Sequence, residues 1–171
     1  MISIAFLLLA LLTLPSGVLP TNTCTDEYYT INLVPTRRVP AAHQAEGVAK
    51  LSFAPSPFGV ALDSKGNYLY NVSLQVNRLE LVEGHEYTVW LSTPDLKSIS
   101  RLGRLSDDGQ VAGQVSWSKF LVIITLEPAG GTSTRWTGPV VMRGLSRSGL
   151  MHTMAGHGPF EQEPCTVYGY Y

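Results

Sequence analysis

Between residues 70 and 76, Tyr70, Val72, Leu74 and Val76 alternate with Asn71, Ser73 and Gln75. That period puts apolar side chains on one face of a strand and amides and a hydroxyl on the other. Residues 87–92 repeat the alternation with larger side chains. Residues 120–126 are apolar or β-branched throughout, the pattern of a strand covered on both faces. Further strands are predicted at 29–34, 48–53, 58–63, 101–105, 111–117 and 140–143. A helical period is nearly absent.

Turn chemistry separates these runs. Asp63-Ser64-Lys65-Gly66-Asn67, Glu83-Gly84, Asp107-Asp108-Gly109 and Ala129-Gly130-Gly131 supply positive φ and side chains that bond to nearby backbone. The stretch 35–45, with two prolines, reads as a loop. About eight short strands with turns every 8–12 residues describe an all-β, antiparallel β-sandwich. No internal repeat or low-complexity linker divides the chain, so residues 24–171 are read as one domain.

Residues 2–14 change the picture, because they are almost wholly apolar and end at Pro15-Ser16-Gly17. Such a run suits the core of a secretory signal and is shorter than the roughly 20 residues of a spanning helix. Residues 1–20 are therefore expected to be a signal peptide or an uncleaved N-terminal anchor. Thr21-Asn22-Thr23 before Cys24 does not read as a lipobox. Export places the chain in an extracytoplasmic compartment, periplasmic or at the cell surface. There Cys24 and Cys165 are expected to form a disulfide. It would close a loop of about 140 residues, for which chain entropy allows roughly 4–5 kcal/mol. A net charge of −1 argues against binding nucleic acid.

Tyr87-Thr88-Val89-Trp90-Leu91, Leu102-Gly103, Asp108-Gly109, Thr125-Leu126-Glu127-Pro128-Ala129-Gly130-Gly131 and Gly138-Pro139-Val140-Val141 follow one another in order. Together, over residues 47–144, they resemble the C-terminal extracytoplasmic domain of anti-sigma-K factors and related stand-alone secreted modules. The resemblance implies an immunoglobulin-like sandwich outside the cytoplasm that acts by contact with other proteins. Arg135-Trp136 stands where that family usually carries proline. Only the leader precedes the domain, so sigma-factor binding is not carried over.

Among residues that could carry chemistry, Met151, His152, Met154 and His157 form the one dense cluster. Thioether sulfur suits Cu(I) and imidazole suits Cu(II), so the alternative to a pure binding module is a periplasmic copper-binding protein. Gly156, Gly158 and Pro159 argue against a helix there, so the four ligands converge only on a folded-back loop. The competing reading packs both methionines beneath that loop.

Enzyme motifs are missing. His85-Glu86 begins like a zincin helix, but Val89 stands where the second His belongs. Asp107-Asp108-Gly109 reads as a hairpin turn, and Glu127, at the end of an apolar strand, as a turn-capping or paired acid. Trp90 is assigned to the core. Asn71-Val72-Ser73 matches a glycosylation sequon. The expectation is a non-catalytic exported binding module without a cofactor, an accessory subunit or sensor-like part of a periplasmic or membrane-associated complex. It would touch the membrane only through an uncleaved leader.

Overall fold

The computed structural model describes residues 29–57 and 59–147. Among them are ten strands: β1 (Thr30–Pro35), β2 (Glu46–Phe53), β3 (Pro55–Ser56), β4 (Gly59–Val60), β5 (Tyr70–Asn77), β6 (His85–Ser92), β7 (Ile99–Arg104), β8 (Gln110–Val115), β9 (Leu121–Pro128) and β10 (Val140–Leu145). Helix is confined to one 3-10 turn, Pro40–Ala42, inside the predicted 35–45 loop. A proline opens that turn, where its missing N–H costs no hydrogen bond.

Eight strands form one antiparallel sheet in the order β7-β6-β9-β10-β1-β2-β5-β8, and β3 and β4 make a separate small hairpin. The sheet is nearly closed, because its two end strands, β7 and β8, also lie against each other. β1 divides its pairing. Residues Thr30 to Leu33 pair with β2, whereas Val34 and Pro35 pair with β10. The protein is thus all-β, as the alternating pattern predicts.

Alternation decides which side chains meet inside. Ile31, Leu33, Ala49, Val72, Leu74 and Val76 approach from one half of the sheet. Val89, Leu91, Val122, Ile124 and Met142 approach from the other, and all belong to one buried cluster. Each large aliphatic side chain so removed from water stabilises the fold by about 1.5–3 kcal/mol.

One local expectation is corrected. The strand predicted at 58–63 reduces to Gly59–Val60, paired with Pro55–Ser56, plus an isolated bridge between Leu62 and Tyr68. Pro55 and Pro57 lack the N–H that a longer ladder needs. Trp90 is buried as expected, 1% exposed, and packs on the face of β6 away from the central cluster.

The described ends lie side by side. Tyr29 and Arg147 line one shallow pocket with Tyr70 and Trp117. Phe53 packs at the same end, 5.9 Å from Tyr29 and 5.1 Å from Tyr70 between ring centroids.

Candidate functional site

The two halves of the sheet present different outer faces. On β5, the core-facing set is Tyr70, Val72, Leu74 and Val76, so Asn71, Ser73 and Gln75 point outward. Cross-strand neighbours continue that polar surface, with Gln114 opposite Asn71 and Gln110 opposite Gln75. The Gln114 amide donates to Asn71 Oδ1 at 3.0 Å, at the acceptor residue of the predicted sequon.

The other half carries large apolar side chains outside as well as inside. One register row crosses five strands as Val34, Arg143, Ile123, Trp90 and Arg101. The next row runs Leu145, Leu121, Ser92 and Ile99. Tyr87 to Ser92 and Val122 to Glu127 are buried without interruption. Two-sided cover of β9 follows the continuous apolar run of its sequence. At the β1/β10 end the cover stops, leaving Val34 60% and Leu145 50% exposed on either side of the exposed Arg143. Among the described residues Arg143 has no ion-pair partner.

What covers β6 and β9 is, in part, the loop between β9 and β10. Trp136 from that loop meets the Trp90 ring edge-on at 6.1 Å, and the Arg101 guanidinium lies 5.8 Å from the Trp90 centroid. Two buried carboxylates hold the loop. Glu86 and Glu127 stand directly opposite one another on β6 and β9, an arrangement of like charges that is unfavourable by itself. Each is compensated separately.

Glu86 pairs with Arg101 at 2.9 Å and accepts the Gly130 amide at 3.3 Å, while Arg101 also donates to Gly131 O at 2.6 Å. These contacts fix the beginning of the loop. Glu127 accepts the Thr137 hydroxyl at 2.7 Å and the Thr137 and Gly138 amides at 3.1 and 3.0 Å. These fix its end.

Burial works to raise the Glu127 pKa. Hydrogen bonds from the Thr125 and Thr137 hydroxyls and from the Thr137 and Gly138 amides outweigh it, and the carboxyl titrates below its ordinary value. Thr125 also accepts the Trp90 indole N–H at 2.8 Å, which ties the indole to the strand that carries Glu127. Beside it, the fully buried Thr88 Oγ1 has no hydrogen-bond partner among the described residues.

This clasp explains why Leu-Glu-Pro-Ala-Gly-Gly and Gly-Pro-Val-Val occur together in the sequence. The acid of the first motif binds the amide of the second. Gly138 passes so close to β9 that an added Cβ would run into the Leu126 carbonyl oxygen. The capping role predicted for Glu127 agrees with these bonds. Glu86 was missed, being read only as the start of an incomplete zincin motif. The signal that identifies it is the lack of any fully polar face in the run that follows it, from Tyr87 to Ser92.

Cys24, Cys165, Met151, His152, Met154 and His157 lie outside the described residues, as do residues 1–20. Among the described residues no three His, Cys, Asp or Glu side chains converge as a metal site. His43 Nε2 lies 2.9 Å from the Arg37 carbonyl oxygen. Asp107, Asp108 and Gly109 form the turn between β7 and β8, closed by the Gly109 amide donating to Ser106 O at 2.8 Å. Comparison with protein-family models, with curated proteins and with solved structures finds no match.

Proposed function

We propose that this chain is an exported, non-catalytic binding module built as an immunoglobulin-like sandwich. It serves as an accessory subunit or sensor-like part of a periplasmic or membrane-associated complex. The observation that carries this reading is the uncovered strip of Val34, Arg143 and Leu145 beside the covered centre of the same sheet face, around Trp90 and Ile123. Exposed apolar side chains grouped around one cation favour a partner polypeptide with an apolar surface and an acidic side chain to meet Arg143. The engagement of both buried carboxylates in the loop clasp favours binding over catalysis, since neither is left to exchange a proton with a substrate.

Export is supported by the apolar residues 2–14 and by the position of the domain's ends. Tyr29 and Arg147 emerge together, with Cys24 five positions before one and Cys165 eighteen after the other. Extended chain spans about 3.3–3.6 Å per residue, so both arms have the reach to be joined by a disulfide.

The test is recovery of a partner from detergent-solubilised membranes, its identification, and measurement of affinity with the purified pair. Val34→Asp with Leu145→Asp should abolish binding, and Arg143→Glu should weaken it about tenfold or more. Circular dichroism should stay unchanged in both. A chain recovered alone, or a partner that binds all variants equally, would overturn the reading.

A further inference from the structure

Tyr70 opens β5 at the end where the described termini emerge, and Asn77 closes it at the opposite end, in the wall of a cleft. The β5–β6 loop and the β7–β8 turn enclose this cleft, whose volume is ≈ 310 Å³. That is the lower end of the range for small-molecule sites, about 300–1,000 Å³.

The lining of the cleft is mixed, with an aliphatic part among polar and charged side chains that include His85, Glu86 and Asp108, and its wall is fixed. Leu105 and Tyr87 are 5% and 7% exposed, with the half-buried Leu79 and Val82 beside them. The Tyr87 hydroxyl donates to Glu80 O at 2.8 Å, tying the β5–β6 loop to β6. On the other side, Val76 N donates to Gly109 O at 2.9 Å and Gln75 Nε2 donates to Asp108 O at 3.0 Å. Gly109 has φ 72°, and an added Cβ would strike the Val76 carbonyl oxygen, so the turn sits in a position only glycine allows.

At the rim, the apolar lining meets a pair of opposite charges. The Arg104 guanidinium lies 3.8 Å from Asp107 Oδ1 and 3.9 Å from Glu86 Oε2, beyond hydrogen-bond distance of either. Its donors make no hydrogen bond among the described residues. Asp107 is 91% exposed at its side chain, and Glu86 already satisfies Arg101. A guanidinium and a carboxylate side by side, next to aliphatic side chains, are the complement of a small zwitterion with an aliphatic body. An α-amino acid carries its carboxylate and ammonium on one carbon, so both can reach charges this close together.

We propose that the cleft binds a free aliphatic α-amino acid. Its carboxylate sits on Arg104, its ammonium on Asp107, and its side chain among Leu79, Val82 and Leu105. Leu81, 88% exposed at the mouth, supplies apolar cover over the bound ligand. These residues are separate from Val34, Arg143 and Leu145, so the site stands or falls independently of partner docking.

Titration calorimetry on the full chain tests it with L-leucine, L-isoleucine and L-valine, against leucinamide, which lacks the carboxylate, and 4-methylpentanoate, which lacks the ammonium. At least one amino acid should bind, with each single-charge analogue of leucine weaker by about tenfold or more. Arg104→Gln and Asp107→Asn should each cost a similar factor, and Val82→Phe should fill the cleft and abolish binding. The two charge variants are at exposed side chains and should melt at the wild-type temperature without ligand. No heat from any amino acid at about 10 mM, equal binding of the analogues, or unchanged binding by Arg104→Gln would overturn the assignment.

Discussion

Removing the Glu127 carboxylate should loosen the β9–β10 loop by an amount that the geometry bounds. In Glu127→Ala, the amides of Thr137 and Gly138 and the hydroxyls of Thr125 and Thr137 lose their common acceptor. A buried donor left without a partner costs about 1–3 kcal/mol, and bonds to a charged acceptor stand at the upper end. Thr137 lies on the exposed side and can turn to water. The total should therefore be about 2–3 kcal/mol rather than the sum of four full penalties. Glu127→Gln keeps an oxygen acceptor and the side chain's volume, and should cost about 1 kcal/mol.

Urea unfolding followed by circular dichroism at neutral pH measures both. At roughly 4 °C per kcal/mol for a domain of this size, the melting temperature should fall by about 8–12 °C in the alanine variant and about 4 °C in the glutamine variant. Tryptophan fluorescence gives a second readout, because Trp90 bonds to Thr125 and stacks on Trp136. Its emission should shift to the red as the loop opens. The pH dependence has a definite sign. The folded chain gives up the Glu127 proton at lower pH than the unfolded chain does, so the stabilisation is complete above the unfolded-state value. It fades as pH falls through the folded-state value. The gap between wild type and Glu127→Gln should accordingly shrink below about pH 4.5. An alanine variant within about 0.5 kcal/mol of wild type would refute the clasp.

Gly138→Ala tests the same loop by sterics. The new methyl meets the Leu126 carbonyl, and a loss of about 1–3 kcal/mol is expected in urea unfolding, with Gly130→Ala as a control that meets no atom within 4 Å but carries the strain of φ 76°. If the chain is exported as proposed, peptide mapping without reductant should recover Cys24 and Cys165 as one linked species. Cys165→Ser should lower stability by about 2–4 kcal/mol in oxidising buffer and leave it level with the reduced wild type. Two free thiols in the secreted chain would reject the pairing.

Most of the sheet is legible from alternation, because each strand buries one set of side chains and the period is local. The eight strands of the main sheet fall within a few residues of where the pattern puts them. Phe120 to Leu126 also announces cover on both faces, since no polar position interrupts it. Its covering partner is not local information. That Trp136 lies over Trp90, and that Glu86 faces Glu127, depends on pairing β6 with β9 across more than thirty positions, which no short window contains. For the same reason alternation marks Trp90 as buried without telling which side of the sheet it packs on. The cleft is hidden too. Its charges and its apolar lining come from two connections that are distant in the chain.

The divided pairing of β1 has a kinetic consequence. Thr36 donates its hydroxyl to Val140 O across 104 positions, and Val34 and Pro35 find their ladder partners only in β10. A polypeptide made N-terminus first therefore delivers one half of its opening strand long before the segment that half must join. Closure waits for the last ladder to arrive, and topologies dominated by such distant contacts fold slowly. Until then β1 and β9 each keep an unpaired border that only β10 can cover.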